Sequence, residues 1–221
     1  MLFKDVKNDL PKEVYKILSK EIKELRPSQE KAVKKGLFKK NNLLICTPTA
    51  SGKTLIAEFA MLKQILSEGG KAVYIVPLKA LATEKYKEFK KRYSGLIKVA
   101  LSIGDLDSSD TNLYKFDLII TTSEKLDSLI RHKTEWIEDL KVIIIDEIHL
   151  INDPGRGPTL EILITMLREI VNAQIIGLSA TIGNPKELAK WLNAKLVIDR
   201  WRPVKLYQGI YYNKEVIFKD R

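Results

Sequence analysis

The stretch LLICTPTASGKTLIAEFA, residues 43–60, joins an apolar run, a short polar loop and a helix-like pattern. LLIC has the length and composition of a buried strand, and the apolar spacing after Lys53 is typical of a helix. Between them, TPTASGKT keeps the second half of the pattern G-x-x-x-x-G-K-[ST], with Thr47 in place of its first glycine. This order of strand, loop and helix predicts that the first amides of the helix face a phosphate group.

The chemistry of this loop depends on its last residues. Gly-Lys-Ser/Thr is a common tripeptide, so the flanking strand and helix carry the interpretation. We expect Lys53 to reach the β- and γ-phosphates of a bound nucleotide and Thr54 to offer its hydroxyl to Mg²⁺. The predicted nucleotide-binding residues of the loop are Thr47, Pro48, Thr49, Ala50, Ser51, Gly52, Lys53 and Thr54.

Further along the chain, strand-length apolar runs alternate with helix-length amphipathic segments. The predicted strands are LLIC (43–46), AVYIV (72–76), IKVAL (97–101), FDLIIT (116–121), KVIIID (141–146), QIIGLS (174–179) and AKLVID (194–199). Solidly apolar strands separated by helices predict a doubly wound α/β domain around a mostly parallel sheet of about seven strands. Ligands of such sheets bind at the carboxyl ends of the strands.

The two ends of the chain differ from this pattern. The apolar periodicity of Pro11–Leu25 predicts one amphipathic helix that Asp9 caps, and a second helix is expected to begin near Ser28. At the other end, alternation around Asn213 and Lys214 predicts a β-hairpin.

Composition excludes several classes of protein. Only Cys46 is present among 221 residues, with two histidines, so neither an internal disulfide nor a Cys/His zinc set can form, and Cys46 is expected to be a small buried hydrophobe. No apolar run approaches the roughly 20 residues of a membrane span, and charges interrupt the N-terminus, which predicts an intracellular, cytoplasmic chain without a membrane partner. The net charge of +10 favours a polyanionic partner, although lysine enrichment is also typical of heat-adapted proteins.

The stretch KVIIIDEIHL places Asp146 and Glu147 directly after an apolar strand. Buried charges are costly unless they are paired or bind a metal, so this pair suggests a nearby cation, with a solvated acidic turn as the alternative. We expect Asp146 to hold Mg²⁺ through water and Glu147 to orient and deprotonate an attacking water. In the same way Ser179 and Thr181 of LSATIGN end a strand, where they can hydrogen-bond His149 or cap the next helix.

Taken together, TPTASGKT, PLKALA, TTSEK, DEIH and SAT stand in the order and approximate spacing of the first motor domain of superfamily-two helicases. The longer stretches LRPSQEKAV, TTSEKLDSLIRH, DEIHLINDPGRGPTLE and WRPVKL resemble the Ski-type group, in particular the archaeal repair helicases of the Hjm type. The resemblance covers about residues 25–215 and implies a RecA-like, P-loop fold. Thr47 agrees with it, since that group commonly lacks the first glycine of the loop.

The resemblance implies further roles. Gln29 matches the glutamine that reads the adenine of ATP, whose N6 and N7 edge a glutamine amide can pair with bidentately. Two strand-to-helix junctions match motifs that grip nucleic-acid phosphates without reading sequence, although their hydroxyls can also cap helices. Gly104 and Asp105 match at a turn, and Arg156 belongs to the Ski-type wording, with a phosphate or an interdomain contact as its role. The junction residues are Pro77, Leu78, Lys79 and Ala80 in one motif and Thr121, Thr122, Ser123 and Lys125 in the other.

The resemblance also divides the chain. Residues 1–28 are expected to form an N-terminal helical extension, residues 29–200 the ATP-binding RecA-like domain, and residues 201–221 a linker and β-hairpin that lead to a second motor domain. In the family, that second domain supplies the arginines that complete the ATP site.

The resulting hypothesis is the first domain of an ATP-dependent DNA helicase that moves 3′ to 5′ on single-stranded or forked DNA with ATP and Mg²⁺. By itself the domain is expected to unwind little or no DNA. Three alternatives stay open: an RNA helicase of the same group, a non-catalytic ATP- or nucleic-acid-binding module, and a P-loop ATPase without nucleic acid, against which PLKALA and TTSEK speak. The sequence leaves the oligomeric state open.

Overall fold

The computed structural model describes residues 1–104, 110–132 and 134–219. The strands are β1 (Leu43–Cys46), β2 (Lys71–Val76), β3 (Val99–Ser102), β4 (Leu118–Thr122), β5 (Leu140–Ile145), β6 (Gln174–Ser179), β7 (Lys195–Ile198), β8 (Gly209–Tyr212) and β9 (Glu215–Phe218). The first seven form one sheet in the order β3-β4-β2-β5-β6-β1-β7, and every neighbouring pair runs parallel. The prediction of a doubly wound α/β domain with seven parallel strands is therefore confirmed, and the strand ends differ from the predicted ones by at most two residues.

Helices cover both faces of this sheet. They are α1 (Lys12–Leu18), α2 (Pro27–Lys34), α3 (Lys53–Glu68), α4 (Lys79–Arg92), α5 (Ser123–Arg131), α6 (Gly157–Ile170) and α7 (Pro185–Trp191). Short 3₁₀ segments occupy Phe3–Asp9, Leu37–Lys39, Asp110–Lys115, Glu135–Asp139 and Ile148–Asn152. Within the described ranges, no helix combines the length and the apolarity that crossing a bilayer requires.

Alternating side chains of the central strands belong to two apolar layers, one on each face of the sheet. In β1, Leu43 and Ile45 pack on the side of α3, whereas Leu44 and Cys46 pack on the side of α5 and α6. All four are buried, because a parallel strand with helices on both faces has no solvent side. The predicted burial of Cys46 is confirmed, and burial raises the pKa of its thiol to about 11.

The N-terminal segment corrects the sequence prediction. The helix expected over Pro11–Leu25 ends at Leu18, and Pro11 takes the N-cap position without a side-chain cap, while Asp9 belongs to the preceding 3₁₀ segment. Residues 23–25 instead extend and pair with residues 1–3, through hydrogen bonds from Phe3 N to Lys23 O (2.9 Å) and from Leu25 N to Met1 O (3.0 Å). This strand-like pairing replaced the helix that local periodicity predicted.

The outer edge of β7 is covered by lysines from α2 and its C-cap. Lys31 donates to Ile198 O at 3.1 Å and pairs with Asp199 at 2.7 Å, and Lys35 donates to Leu196 O at 2.6 Å. An edge strand whose carbonyls are covered offers no template for pairing with another chain.

The tail forms the predicted hairpin of β8 and β9, which pair antiparallel apart from the main sheet. Asn213 and Lys214 both have positive φ, 48° and 63°, as the two central residues of a tight hairpin turn require. All residues of the two strands are exposed.

A buried ionic group joins α3 to the end of α4. Glu58 is 1% exposed, accepts a hydrogen bond from the Tyr93 hydroxyl, and lies 3.1 Å from a guanidinium nitrogen of Arg92. Arg92 also bonds Glu21 at 2.5 Å. Burial raises the pKa of Glu58 from 4.5 to about 7, against the opposing effects of Arg92 and Tyr93.

We predict that Glu58 makes stability depend on pH. Between pH 4.5 and pH 7 the folded chain binds more protons at Glu58 than the unfolded chain, so the free energy of unfolding falls as the pH rises through this range. The effect is fully present below pH 4.5 and lost above pH 7, and it amounts to at most about 3 kcal/mol. Denaturant unfolding at both ends of the range, in wild type and in Glu58→Gln, isolates it from other carboxylates. An identical pH dependence in the two chains would contradict the prediction.

Candidate functional site

The loop of residues 47–52 connects β1 to α3 at the carboxyl edge of the sheet. Its base is fixed, because Thr47 N donates to Ser179 O at 3.2 Å and the hydroxyls of Thr47 and Ser51 are 2.7 Å apart. Its tip turns through two positive φ angles, 63° at Ala50 and 90° at Gly52. Gly52 is also the N-cap of α3, so the first amides of this helix have no side-chain cap.

The start of α2 holds the loop from outside. Arg26 Nη1 donates to Ala50 O at 2.6 Å, and Gln29 Nε2 donates to Gly52 O at 3.1 Å. Gln29 is 3% exposed, and its Oε1 accepts from Arg26 N at 2.8 Å. The backbone angle at Gly52 favours glycine, and a Cβ there would lie 2.4 Å from Gln29 Nε2 and displace that amide.

Lys53 folds back into the loop. Its ammonium donates to Thr47 O at 2.9 Å and to Pro48 O at 3.3 Å. Burial lowers the pKa of Lys53, and the charges of Glu147 and Asp146 oppose that shift. The loop and the acidic pair, which are about 90 residues apart in the chain, therefore share one electrostatic environment.

Asp146 and Glu147 follow β5 directly. Asp146 Oδ2 accepts from the Tyr74 hydroxyl at 3.0 Å, and its Oδ1 accepts from Glu147 N at 3.0 Å. Glu147 has φ 49°, a left-handed conformation that costs free energy for a residue other than glycine. This backbone turn places the two carboxylates at the mouth of the strand.

His149 approaches the acidic pair rather than the strand end that follows β6. Its Nδ1 lies 3.3 Å from Glu147 Oε2, and the predicted hydrogen bond between His149 and Ser179 or Thr181 is not formed in the described structure. The hydroxyl of Ser179 is fully buried beside the Cys46 thiol.

A cavity of about 340 Å³ lies on the outer side of the loop. Gln29, Gly52 and Thr54 line it, and so do Arg26 and Leu55. Three predicted residues, Gln29, Gly52 and Thr54, thus meet at one surface.

A separate groove of about 530 Å³ lies at the ends of β2, β3 and β4. Most residues predicted to contact nucleic acid line it, although they come from four segments of the chain. The predicted residues that line the groove are Pro77, Leu78, Lys79, Gly104, Thr122, Lys125 and Arg156.

Other predicted residues lie outside the groove lining. Thr121 is fully buried, Ser123 lines a small neighbouring crevice, and Ala80 is exposed beyond the groove. Asp105 lies outside the described residues.

Helix capping accounts for part of the second motif. Thr122 is the N-cap of α5, and its hydroxyl accepts from Lys125 N at 3.4 Å. Lys125 lines the groove although it is only 3% exposed. Leu78, the N-cap of α4, supplies no cap and is 44% exposed, which leaves the first amides of α4 available beside Lys79.

The sequence analysis missed residues that surround the predicted site residues. Tyr74 was read only as part of an apolar strand, although a buried tyrosine hydroxyl usually needs a partner, which here is Asp146. Arg26 lies in the stretch LRPSQEKAV, close to Gln29. It packs on Trp201, with 5.5 Å between its guanidinium and the ring centroid. Arg202 is close enough to influence the pKa of Lys53.

Known proteins resemble this chain in sequence and structure. It is 59% identical over 202 residues to the ATP-dependent DNA helicase Hel308 of Methanococcus vannielii, which covers 88% of this chain and 27% of that protein. Hel308 of Pyrococcus abyssi is 57% identical over 199 residues, which covers 90% of this chain and 28% of that protein. The chain thus spans roughly a quarter of the length of these relatives.

Two solved helicases share the fold. The DUF1998 helicase MrfA bound to DNA has a TM-score of 0.75 at 31% identity, over 87% of this chain and 30% of that one. The Mycobacterium smegmatis helicase Lhr bound to ssDNA and AMP-PNP has a TM-score of 0.76 at 26% identity, over 86% and 28%. These likenesses confirm the RecA-like, P-loop fold.

The family model described as DEAD/DEAH box helicase matches residues 26–188. This range contains the loop, the acidic pair, the strand end after β6 and the groove, and the archaeal relatives confirm the resemblance that the motifs carried. The chain belongs to the DEAD/DEAH box helicase family.

Proposed function

We propose that this chain is the ATP-binding first motor domain of an ATP-dependent DNA helicase. One observation carries the proposal: a single sheet edge holds the loop and the acidic pair at the ends of β1 and β5, with the basic groove at the ends of β2, β3 and β4. Nucleotide and nucleic acid would therefore bind side by side on one rigid sheet, as a motor requires.

Lys53 and the start of α3 bind the phosphates in this proposal. In the present structure the ammonium of Lys53 bonds two loop carbonyls. The β- and γ-phosphates would replace these partners, and the uncapped amides of α3 would donate to the same phosphate oxygens. Thr47, Pro48, Thr49, Ala50 and Ser51 shape the loop around them.

Asp146 and Thr54 suit Mg²⁺. The described residues contain no cluster of three or more His, Cys, Asp or Glu that could hold a metal, and Mg²⁺ is usually held by one or two carboxylates with waters and substrate phosphates. Each oxygen of Asp146 accepts only one hydrogen bond here and keeps a further lone pair. Bound Mg²⁺ would neutralise developing charge on the phosphates.

Glu147 is the general base in this proposal. Its carboxylate would orient the attacking water and accept its proton. Hydrogen bonds from the Tyr74 hydroxyl and from the backbone of Glu147 hold the neighbouring Asp146 carboxylate in place. We assign coupling between the nucleotide and nucleic-acid sites to His149, Ser179 and Thr181, of which His149 already lies beside Glu147.

Gln29 reads the adenine base in this proposal. One N–H and one lone pair of its amide are used by Gly52 O and Arg26 N, and one of each remains. The remaining pair matches the N7 and N6 edge of adenine, which would approach through the adjoining cavity.

The groove binds single-stranded or forked DNA in this proposal. Lys79, the uncapped start of α4 and Arg156 suit phosphates, and such contacts carry no sequence preference. The names of the relatives, and the DNA-bound state of the similar MrfA and Lhr structures, favour DNA over RNA. Comparing the binding of equal lengths of single-stranded DNA and RNA tests this choice.

The greater length of the relatives supports a further domain in the whole protein. We infer a second RecA-like domain that completes the ATP site, translocation from 3′ to 5′, and a repair role in the cytoplasm near the nucleoid. Residues 1–28, 29–200 and 201–221 stay our proposed extension, motor domain and linker. An arginine from the second domain contributes about 10³–10⁵ to turnover in related NTPases, so this chain is expected to hydrolyse ATP slowly.

Replacing Glu147 by Gln tests the catalytic assignment. Glu147→Gln keeps the size of the side chain but removes the base, so single-turnover ATP hydrolysis is expected to slow by at least about 100-fold. The affinity for ATP, measured by calorimetry, should stay near the wild-type value. A pure binding module would show no change in either quantity, and retained hydrolysis would overturn the assignment.

A salt titration tests the groove. Replacing Lys79 by Ala is expected to weaken binding of single-stranded DNA and to reduce the slope of log K against log salt by about 0.7, the contribution of one phosphate contact. Lys39→Ala is the matched control, since Lys39 is exposed and precedes β1 at the opposite edge of the sheet. Equal slopes for Lys79→Ala and wild type would exclude Lys79 from the contact surface.

A further inference from the structure

Arg156 stands between the nucleotide site and the groove. It lines the groove together with Lys79 and Thr122, and it also lines a small crevice whose walls include Asp146 and Glu147. Of the side chains predicted to serve either ligand, Arg156 and Pro77 alone border both spaces, and only Arg156 carries a charge.

The backbone of Arg156 is held firmly. Gly155 N and Arg156 N both donate to Asp153 Oδ1, at 3.0 Å and 2.9 Å, and Gly157 N donates to Asp153 O at 2.8 Å. A Cβ on Gly157 would lie 2.1 Å from Ile151 O, so only glycine lets the chain pass there. The turn therefore fixes where the arginine side chain begins, at the start of α6.

The guanidinium itself is uncommitted. It makes no hydrogen bond or ion pair with any residue that the structure describes, and the side chain is half-buried. Arginine presents five donors in a planar fork, which can bind a phosphate with one edge and keep donors for a second partner. A fixed backbone with an uncommitted guanidinium suits a ligand contact better than a structural one.

The crevice is small enough that one water molecule would connect polar groups on its walls. Its volume of about 10 Å³ is near the minimum for one water, and a single bridging water joins polar groups almost as well as a direct hydrogen bond. Only the 3₁₀ segment Ile148–Asn152 and the following turn separate Glu147 from Arg156 in the chain. A change in the position of Arg156 can therefore be transmitted to Glu147, or the reverse, through this short segment.

We propose that Arg156 is a positioning residue that transmits occupancy of the groove by single-stranded DNA to Asp146 and Glu147. A DNA phosphate takes one edge of the guanidinium and draws it into the groove, which changes its approach to the acidic pair and so the affinity for ATP. This inference rests on the proposed function and adds to it the residue that connects the two sites.

The test compares coupling rather than affinity. The dissociation constant of AMP-PNP with Mg²⁺ is measured for this chain without DNA and with saturating oligothymidylate. The ratio of these two dissociation constants is the coupling factor. Thermodynamic linkage requires the same ratio between the DNA dissociation constants measured without and with nucleotide, so the second ratio checks the first. For wild type we expect a factor of at least about five, and for Arg156→Ala a factor of about one. Denaturant unfolding of Arg156→Ala at the wild-type midpoint excludes general damage.

Two variants separate coupling from DNA affinity. Lys79→Ala should weaken DNA binding yet keep the wild-type factor once DNA is saturating. Arg168→Ala removes an arginine of α6 that lines neither space and should also keep the wild-type factor. The proposal is overturned if Arg156→Ala keeps the wild-type factor, if Lys79→Ala loses it to the same extent, or if wild type binds both ligands with a factor of one. Failure of wild type to bind either ligand would instead overturn the proposed function.

Discussion

The parallel alignment of seven strands is the constraint on which the remaining structure depends. Helices cover both faces of the sheet, so most side chains of the central strands are buried and the polar groups of the candidate sites stand where strands end. All carboxyl ends share one edge, and the strand order divides that edge into two halves. The ends of β1, β6 and β5 carry the loop, Ser179 and the acidic pair, whereas those of β2, β4 and β3 carry the groove. The two proposed ligand sites, which belong to different strands, thereby become neighbours, and coupling between them would need no long path through the protein.

The helices that start at this edge differ in whether a side chain caps their first amides. Gly52 and Leu78 leave α3 and α4 without a side-chain cap, whereas Thr122 caps α5. An uncapped start loses free energy that a capping side chain would otherwise supply, typically about 1 kcal/mol. A bound phosphate can satisfy the same amides. The starts of α1, α6 and α7 also lack a side-chain cap; at the loop and at Lys79 the uncapped amides lie at the candidate phosphate sites, where a bound phosphate would take the place of a cap.

The sequence predicted those parts of the fold that are determined locally. The strands were found because runs such as LLIC and QIIGLS are apolar on both faces, and β1 and β6 have the predicted bounds. The helix over Pro11–Leu25 was predicted too long, because residues 23–25 pair with residues 1–3, a contact that periodicity cannot reveal. The motif residues and their common place at the carboxyl ends of the strands could be predicted, but which of them share one groove could not. That Gly104, Lys79 and Arg156 line one groove follows only from the strand order.

The roles of residues that support the motifs could not be predicted from the sequence for a different reason, because these residues act through hydrogen bonds to other residues of the site. Tyr74 resembles any aromatic residue of a buried strand until its hydroxyl is seen 3.0 Å from Asp146. Gln29 was predicted to read a base, yet in this structure its amide first stabilises the loop at Gly52 and the start of α2. Because the same amide keeps one donor and one acceptor, the proposed recognition of the base and the stability of the loop would depend on one side chain. A base bound to Gln29 would also fix Gly52, and with it the first turn of the helix that carries Lys53.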